Sequence, residues 1–300
     1  MEFFKTNTKI QFMRQRVGAI IFSILIVVAS IVSLAINGLN LGLDFTGGTK
    51  IEVSFPKAVD AAVIREELHA NGFREAVVQA YDLKDYAIRV GPDNKDLKEK
   101  LTALFPSVTI LQISMIGPQV GKELMTHGVL AVVVALLATV VYIALRFEFR
   151  FALSAALALL HDPILILGIF SFFHLEFDLI VLAALLTVLG YSLNDTIVVY
   201  DRVRENFLKI RNGTPTEIMD LSINQTLSRT IMTSGLTLLV VIALIVYGGS
   251  TLFGFSLALI IGIVIGTYSS IYIAGSLAIY FGLQRKHLAP VRKRYEDNLP

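Results

Sequence analysis

Six long apolar stretches dominate the pattern along the chain, at 17–36, 128–145, 151–173, 179–200, 230–247 and 252–281. A bilayer core of about 30 Å takes about 20 helical residues. Each stretch is near that length, and the last is longer. Residues 252–284 carry no charged side chain. That run is too short for two spans and a turn, so it reads as one helix with an irregular start. Between the first two stretches the pattern changes. Thr49–Phe55 alternates apolar and polar positions as a strand does, whereas Asp60–Ala70 places Val63, Ile64 and Leu68 on one helical face before Asn71-Gly72. Ala76–Ala80 and Tyr86–Val90 read as strands, Asp96–Leu104 as a second helix ended by Pro106, and Val108–Met115 as a last strand. The order is β-α-β-β-α-β, the ferredoxin-like split unit, which carries no function by itself.

The chain is thus expected to be a polytopic α-helical membrane protein with a small external α+β domain at 37–127. Composition agrees: of 300 residues, 55% are apolar and 17% charged, against about 45–50% and about 25% in soluble domains. Sixteen of the 26 Lys and Arg lie in 1–16, 146–150, 201–229 and 285–294, and none in 174–178 or 248–251. By the positive-inside rule both termini are cytoplasmic, with an N-terminal segment at 1–16 and a basic tail at 282–300. Segment 37–127, with 10 basic and 12 acidic residues, lies on the other side. Ser33-Leu34-Ala35 is weakly like a cleavage site, but 20 apolar residues exceed a signal-peptide core, so the first span is expected to stay. The net charge of +2 gives no case for nucleic acid. With no Cys, disulfides, thiolate metal sites and a Cys nucleophile are excluded. No phosphate-binding loop or metal-ligand cluster is found, and neither cofactor nor metal is expected.

Segment 201–229 is more than a loop. Thr214-Pro215-Thr216-Glu217 has a capping residue, Pro at the first helical position and Glu at the third. With Ile218, Leu221 and Leu227 it predicts an interfacial helix running into the fifth span.

Charges within the spans are few. Asp162, between His161 and Pro163, lies near the middle of the third. Asp195, between Asn194 and Thr196, lies in the fourth, and Arg229 stands at the start of the fifth. An acid in the bilayer is costly, and so a functional candidate. Held between burial and a nearby Arg, it can serve as a proton relay. The plainer alternative for Asp195 is a permanent pair with Arg229, or a carboxylate held by Asn and Thr, that only locks the bundle. For Asp162 the alternative is local polarity answering the carbonyl that Pro163 frees, with His161 a satisfied buried histidine. Gly262, Gly266, Ser270, Ala274 and Ala278 recur every four residues, a stripe for close helix packing, and Gly190 is a further candidate. Gly42-Leu43-Asp44-Phe45-Thr46-Gly47-Gly48-Thr49 reads as a turn-rich exit from membrane to domain.

These motifs resemble the SecF family, the smaller membrane subunits of the bacterial SecD–SecF pair, within the wider resistance–nodulation–division group. The likeness rests on GLDFTGGT at 42–49, GYSLNDTIVVYDRVREN at 190–206, NGTPTEI at 212–218, NQTLSRTIMTS at 224–234 and FGFSLALIIGIVIGTYSSIY at 253–272. It spans nearly the whole chain. It implies an inner-membrane export accessory, not an enzyme, that pairs with SecD, associates with the SecYEG channel and uses the proton-motive force to draw preproteins outward after the ATP-driven stage. It also implies that Asp195 and Arg229 belong to the proton pathway, with Asn194 and Thr196 beside them. It gives Asp44, Phe45, Gly47 and Gly48 as the motif at the start of the external domain. His161 and Asp162 fit the family; Pro163 stands where an aliphatic residue is expected. A small-molecule exporter of the wider group is a second reading, although six spans and one domain look like a half-unit. A purely structural subunit is a third, and it would tolerate neutral residues at 195 and 229.

Overall fold

The structure, a computed structural model, describes residues 9–73, 76–91, 97–210 and 212–284. A short 3-10 turn, Phe12–Gln15, leads into α1 (Arg16–Asn37). The strand β1 (Asn40–Leu41) and the single-turn helix α2 (Leu43–Thr46) follow. The external domain comprises β2 (Gly48–Ser54), α3 (Ala61–Ala70), β3 (Val77–Ala80), β4 (Asp85–Val90), α4 (Leu97–Leu104) and β5 (Thr109–Ile116). The remaining elements are α5 (Pro118–Arg146), α6 (Phe149–Phe172), β6 (Glu176–Phe177), α7 (Leu179–Lys209), α8 (Pro215–Tyr247), α9 (Gly249–Tyr268), a π-helical segment (Ser269–Ala274) and α10 (Gly275–Tyr280). Among the described residues, six helical segments are long and apolar enough to cross a membrane, the last running unbroken through α9, the π-segment and α10.

The external domain forms as its pattern predicts. Its sheet runs β3-β4-β2-β5 with every neighbouring pair antiparallel, the order of the split βαββαβ unit. Alternation in β2 sends Ile51 and Val53 to the helix-covered face, where they pack with Ile64, Leu68, Ile88, Leu97 and Leu101. Asp60 caps α3 by accepting from the Ala62 amide at 2.9 Å. Lys50 and Glu52 point to the opposite face, toward the membrane helices.

In the bundle, α6, α7 and α9 are about half buried, whereas α1, α5 and α8 are largely exposed. Exposure of Leu25, Val28, Leu137 and Leu239 leaves an apolar perimeter suited to lipid. Small residues set the contacts. A Cβ on Gly262 would meet Val188 of α7, one on Gly266 would meet Ser192 at 3.0 Å, and one on Gly168 would collide with Ser30 of α1.

Several expected boundaries shift. Helix α5 begins at Pro118, ten residues before the apolar stretch, because Pro opens a helix readily. Helix α7 continues past the fourth apolar stretch to Lys209. The interfacial helix within 201–229 does run into the fifth span, as the sequence predicts. The Thr214–Glu217 capping box opens one 33-residue helix that runs straight to Tyr247. The irregularity expected at the start of the last span lies in its middle, as the π-segment. The basic tail from 285 onward, residues 1–8 and Asp96 lie outside the described residues.

One carboxylate of the membrane part gathers contacts from the domain's sheet. Strand β6, in the turn between α6 and α7, pairs in parallel with β1, placing Glu176 beside Asn40. Arg89 of β4 reaches Glu176 Oε1 at 3.3 Å, Asn40 Oδ1 at 2.8 Å and the Leu41 carbonyl. Tyr81 donates to Glu176 Oε2 at 3.2 Å, and Lys50 lies 4.0 Å from the same oxygen.

Burial acts to lower the Lys50 pKa, but Tyr81, Glu176 and Glu52 outweigh it and hold the ammonium above its ordinary 10.5. Burial, helped by Glu176, pushes the Tyr81 phenol from 10.0 up to about 12. Both shifts give alkaline release. The Lys50 contribution is complete below pH 10.5 and is lost as pH rises through its higher docked value. Between pH 10.0 and about 12 the docked state keeps the Tyr81 proton that the free state loses, so docking again weakens upward. Energy transfer between probes at Leu83→Cys and Ile36→Cys should therefore stay constant from about pH 6 to 9 and fall above about pH 10. A fall near neutral pH would contradict this assignment.

Candidate functional site

Helix α7 presents its core-facing seam at Val188, Ser192, Asp195 and Val199, spaced three and four apart. Two acids occupy this part of the bundle, in opposite states of satisfaction. Asp162 of α6 is 0% exposed. Its Oδ2 accepts from Ser192 Oγ at 2.5 Å and from Ser269 Oγ at 2.9 Å, and its Oδ1 lies 2.9 Å from His161 Nδ1. Three elements, α6, α7 and the π-segment, are thereby tied at one carboxylate. Pro163 sits inside α6 without ending it. His161 Nε2 is buried and lacks a partner.

Asp195 is 3% exposed, and its buried Oδ2 has no hydrogen-bond partner among the described residues. Asp195 and Arg229 do not touch, although the Arg229 charge is near enough to act on the Asp195 carboxylate. Among the described residues no ion pair joins the two, and Arg229 is exposed. The reason is rotational: Thr226, Thr230 and Ser234 carry the buried face of α8, and Arg229, about 60° around the helix from Thr226 and about 100° from Thr230, stands at the edge of that face. Thr196 is buried and donates to the Ser192 carbonyl at 3.2 Å, not to its neighbour's carboxylate. Asn194 is exposed, so it does not hold Asp195 either. One turn earlier, Tyr191 donates to Ser234 Oγ at 3.3 Å, and Ser234 is 3.0 Å from Thr267 Oγ1. This hydroxyl chain joins α7, α8 and α9 beside the unpaired acid. A buried carboxylate oxygen without a partner is a place to receive a proton.

The packing candidates divide. Gly262 and Gly266 abut α7, and Ser270 is buried with its hydroxyl donating to the Thr267 carbonyl at 3.0 Å. Gly190 contacts nothing, since a Cβ there would meet no atom within 4 Å. It joins Ala183, Thr187 and Asn194 on an exposed stripe of α7.

The glycine-rich motif is a helical turn wedged against the start of α7. Asp44 accepts from the Leu179 amide at 3.0 Å, while Asp178 caps the helix from the Val181 amide at 2.7 Å. Burial raises the Asp178 pKa against that amide bond. Phe45 stacks on Phe177, with centroids 6.1 Å apart. Gly47 and Gly48 then turn the chain into β2.

Sequence reasoning did not single out Glu176, Tyr200, Ser192 or Ser269. Tyr200 is fully buried, lies 2.7 Å from Ser154 Oγ and donates to the Ala274 carbonyl at 3.0 Å. Its polar partners come from α6 and the π-segment, which no local spacing reveals. Glu176 was open to notice as one of two acids, with Asp178, in a short turn without Lys or Arg.

Comparison with known proteins follows the same lines. The family model described as "Protein export membrane protein SecD/SecF, C-terminal" matches residues 96–284, and that of the "SecD/SecF GG Motif" matches 32–59. The protein translocase subunit SecF of Vibrio alginolyticus is 48% identical, over 99% of this chain and 98% of that one. The SecF subunit of Escherichia coli O157:H7 is 44% identical, over 92% and 89%. The crystal structure of SecDF, a translocon-associated membrane protein from Thermus thermophilus, superposes with a TM-score of 0.86 at 37% identity. That likeness covers 93% of this chain and 39% of the longer one. With matching motifs, fold and near full-length likeness, the chain belongs to the SecD/SecF family of protein export membrane proteins, among its SecF translocase subunits.

Proposed function

We propose that this chain is the SecF half of a two-part export accessory. With SecD it couples the proton-motive force to late-stage movement of preproteins through the SecYEG channel. It lies in the bacterial inner membrane with both termini cytoplasmic and residues 37–127 in the periplasm. The observation that carries the reading is Asp195: a buried carboxylate with an unpartnered oxygen, on the central helix of a protein-export membrane protein. A proton reaching Asp195 cancels a buried charge that the bundle otherwise holds with only the distant help of Arg229. The contacts of α7 with α8 and α9 then favour a different packing. Arg229, exposed and at the edge of the buried face, is free to approach in one state and withdraw in the other. One charge crossing 100 mV supplies about 2.3 kcal/mol, a bias of nearly 50-fold. That is modest for hauling a chain, so export needs repeated cycles.

SecD as partner is supported by the stripe Ala183, Thr187, Gly190 and Asn194. Small and polar residues facing outward from α7 suit close approach by another membrane helix better than lipid. Lipid covers the apolar remainder.

The test uses cells depleted of this protein and complemented at matched membrane levels with wild type or Asp195→Asn. Wild type should clear accumulated precursors and Asp195→Asn should not, while both still co-purify with SecD. Equal clearance by both would make Asp195 structural and place the ion step elsewhere.

A further inference from the structure

Lys50 and Arg89 stand directly opposite each other on adjacent strands, β2 and β4. Like charges in that position work against the sheet. Glu52 lies 3.3 Å from Lys50 and offsets part of this, but both cations also reach below the domain to Glu176. Tyr81 adds a hydrogen bond to the same carboxylate. Glu176 is 13% exposed, so little water screens these contacts. The domain's polar face is therefore built around an acid that belongs to the membrane part.

That acid stands two residues before Asp178, the cap of α7. The same helix start receives Asp44 from the glycine-rich turn. From there α7 runs 16 residues, about 24 Å, to Asp195. A shift or rotation of α7 thus moves Glu176 relative to Lys50, Tyr81 and Arg89. The chain's covalent links to the domain, through α1 and α5, do not carry Asp195; the α6–α7 turn connects directly to the helix that does.

We propose that Glu176 is the positioning residue that latches the external domain to α7, so that the state of the intramembrane site is passed to the domain through this carboxylate. The proposal rests on the export reading above for its purpose, and on the ion-pair geometry for its existence. In one state of α7 the latch is closed and the domain lies on the membrane part. In the other, Glu176 withdraws and the domain is free to swing on its two tethers.

The chain's natural lack of cysteine makes the test direct. Spin labels at Leu83→Cys and Ile36→Cys, both exposed positions, report the domain-to-base distance in the full chain with SecD in membranes. Glu176→Gln keeps a partner for Tyr81 but removes the charge. It should raise the undocked fraction about tenfold, as expected for loss of charge-assisted contacts. It should also slow precursor clearance at unchanged protein level. The swap Glu176→Arg with Lys50→Glu and Arg89→Glu should return the distance toward the docked value, which a merely structural loss would not do. An unchanged distance in Glu176→Gln overturns the latch. Full undocking with normal clearance overturns its role in export. If depletion of wild type itself leaves precursors unaffected, the export reading falls, and the distance shift alone then decides whether Glu176 docks the domain.

Discussion

Gly48→Ala is expected to destabilise the external domain by about 3 kcal/mol or more. Gly48 has φ +125° and Gly47 has φ +70° with ψ 170°, a region open essentially to glycine alone. Space compounds the strain. A Cβ on Gly48 would collide with the Val90 carbonyl, which is backbone and cannot swing aside, and one on Gly47 would lie 2.9 Å from Pro118 Cα. Both glycines sit where α2, β2, β4 and the start of α5 converge. The cost therefore falls on the junction between domain and membrane part. Thermal unfolding of the purified chain and its resistance to protease would both register the change. A melting curve within a degree or two of wild type would show that the junction relaxes and that the backbone argument is wrong.

The second large effect is at Asp162. Asp162→Ala should cost about 2–4 kcal/mol, because it strands the buried Ser192 hydroxyl and the His161 Nδ1 together and leaves Ser269 only its bond to the Gly266 carbonyl. Single hydrogen bonds between membrane helices average only about 0.6 kcal/mol. Ser192→Ala or Ser269→Ala should therefore be mild, and the comparison is the sharp part of the prediction. Equal losses in all three variants would mean that Asp162 holds no network. Unfolding in mild detergent, monitored through the loss of helix, measures all three on one scale.

The domain was legible in the sequence because its signals are local. Alternation in Thr49–Phe55, the Asp60 cap and the Asn71-Gly72 stop each act within a few residues, and the structure follows them to within a residue or two. The number of spans was legible for the same reason, since length against bilayer thickness needs no partner. Azimuth was not. The distance of Arg229 from the start of its span is readable, but its direction around α8 depends on which residues pack. Thr226, Thr230 and Ser234 won that face. Helix α5 is apolar on nearly every side, so its sequence carries no stripe that fixes orientation, whereas the glycine stripe of α9 does mark the face against α7. Asp162 could be weighed only as a lone acid, because Ser192 and Ser269 come from 30 and 107 residues away. The role of Glu176 has no local signal either, because Tyr81 and Arg89 come from 95 and 87 residues away.

The π-helical segment at Ser269–Ala274 has a further consequence. It is a dislocation: one residue more than the helix wall has room for, held in place without a break in the rod. A dislocation in a crystal lets planes slip under a small load, because bonds are exchanged along a line and not severed across a face. Here the line is a single turn, pinned on one side by Ser269 on Asp162 and on the other by Tyr200 on the Ala274 carbonyl. Passing the extra residue along by a turn would trade hydrogen bonds one for one and turn the stretch it crosses by about 100°. A span built this way can change the face it shows to α7 without melting, and the two pins mark where that slip begins and ends.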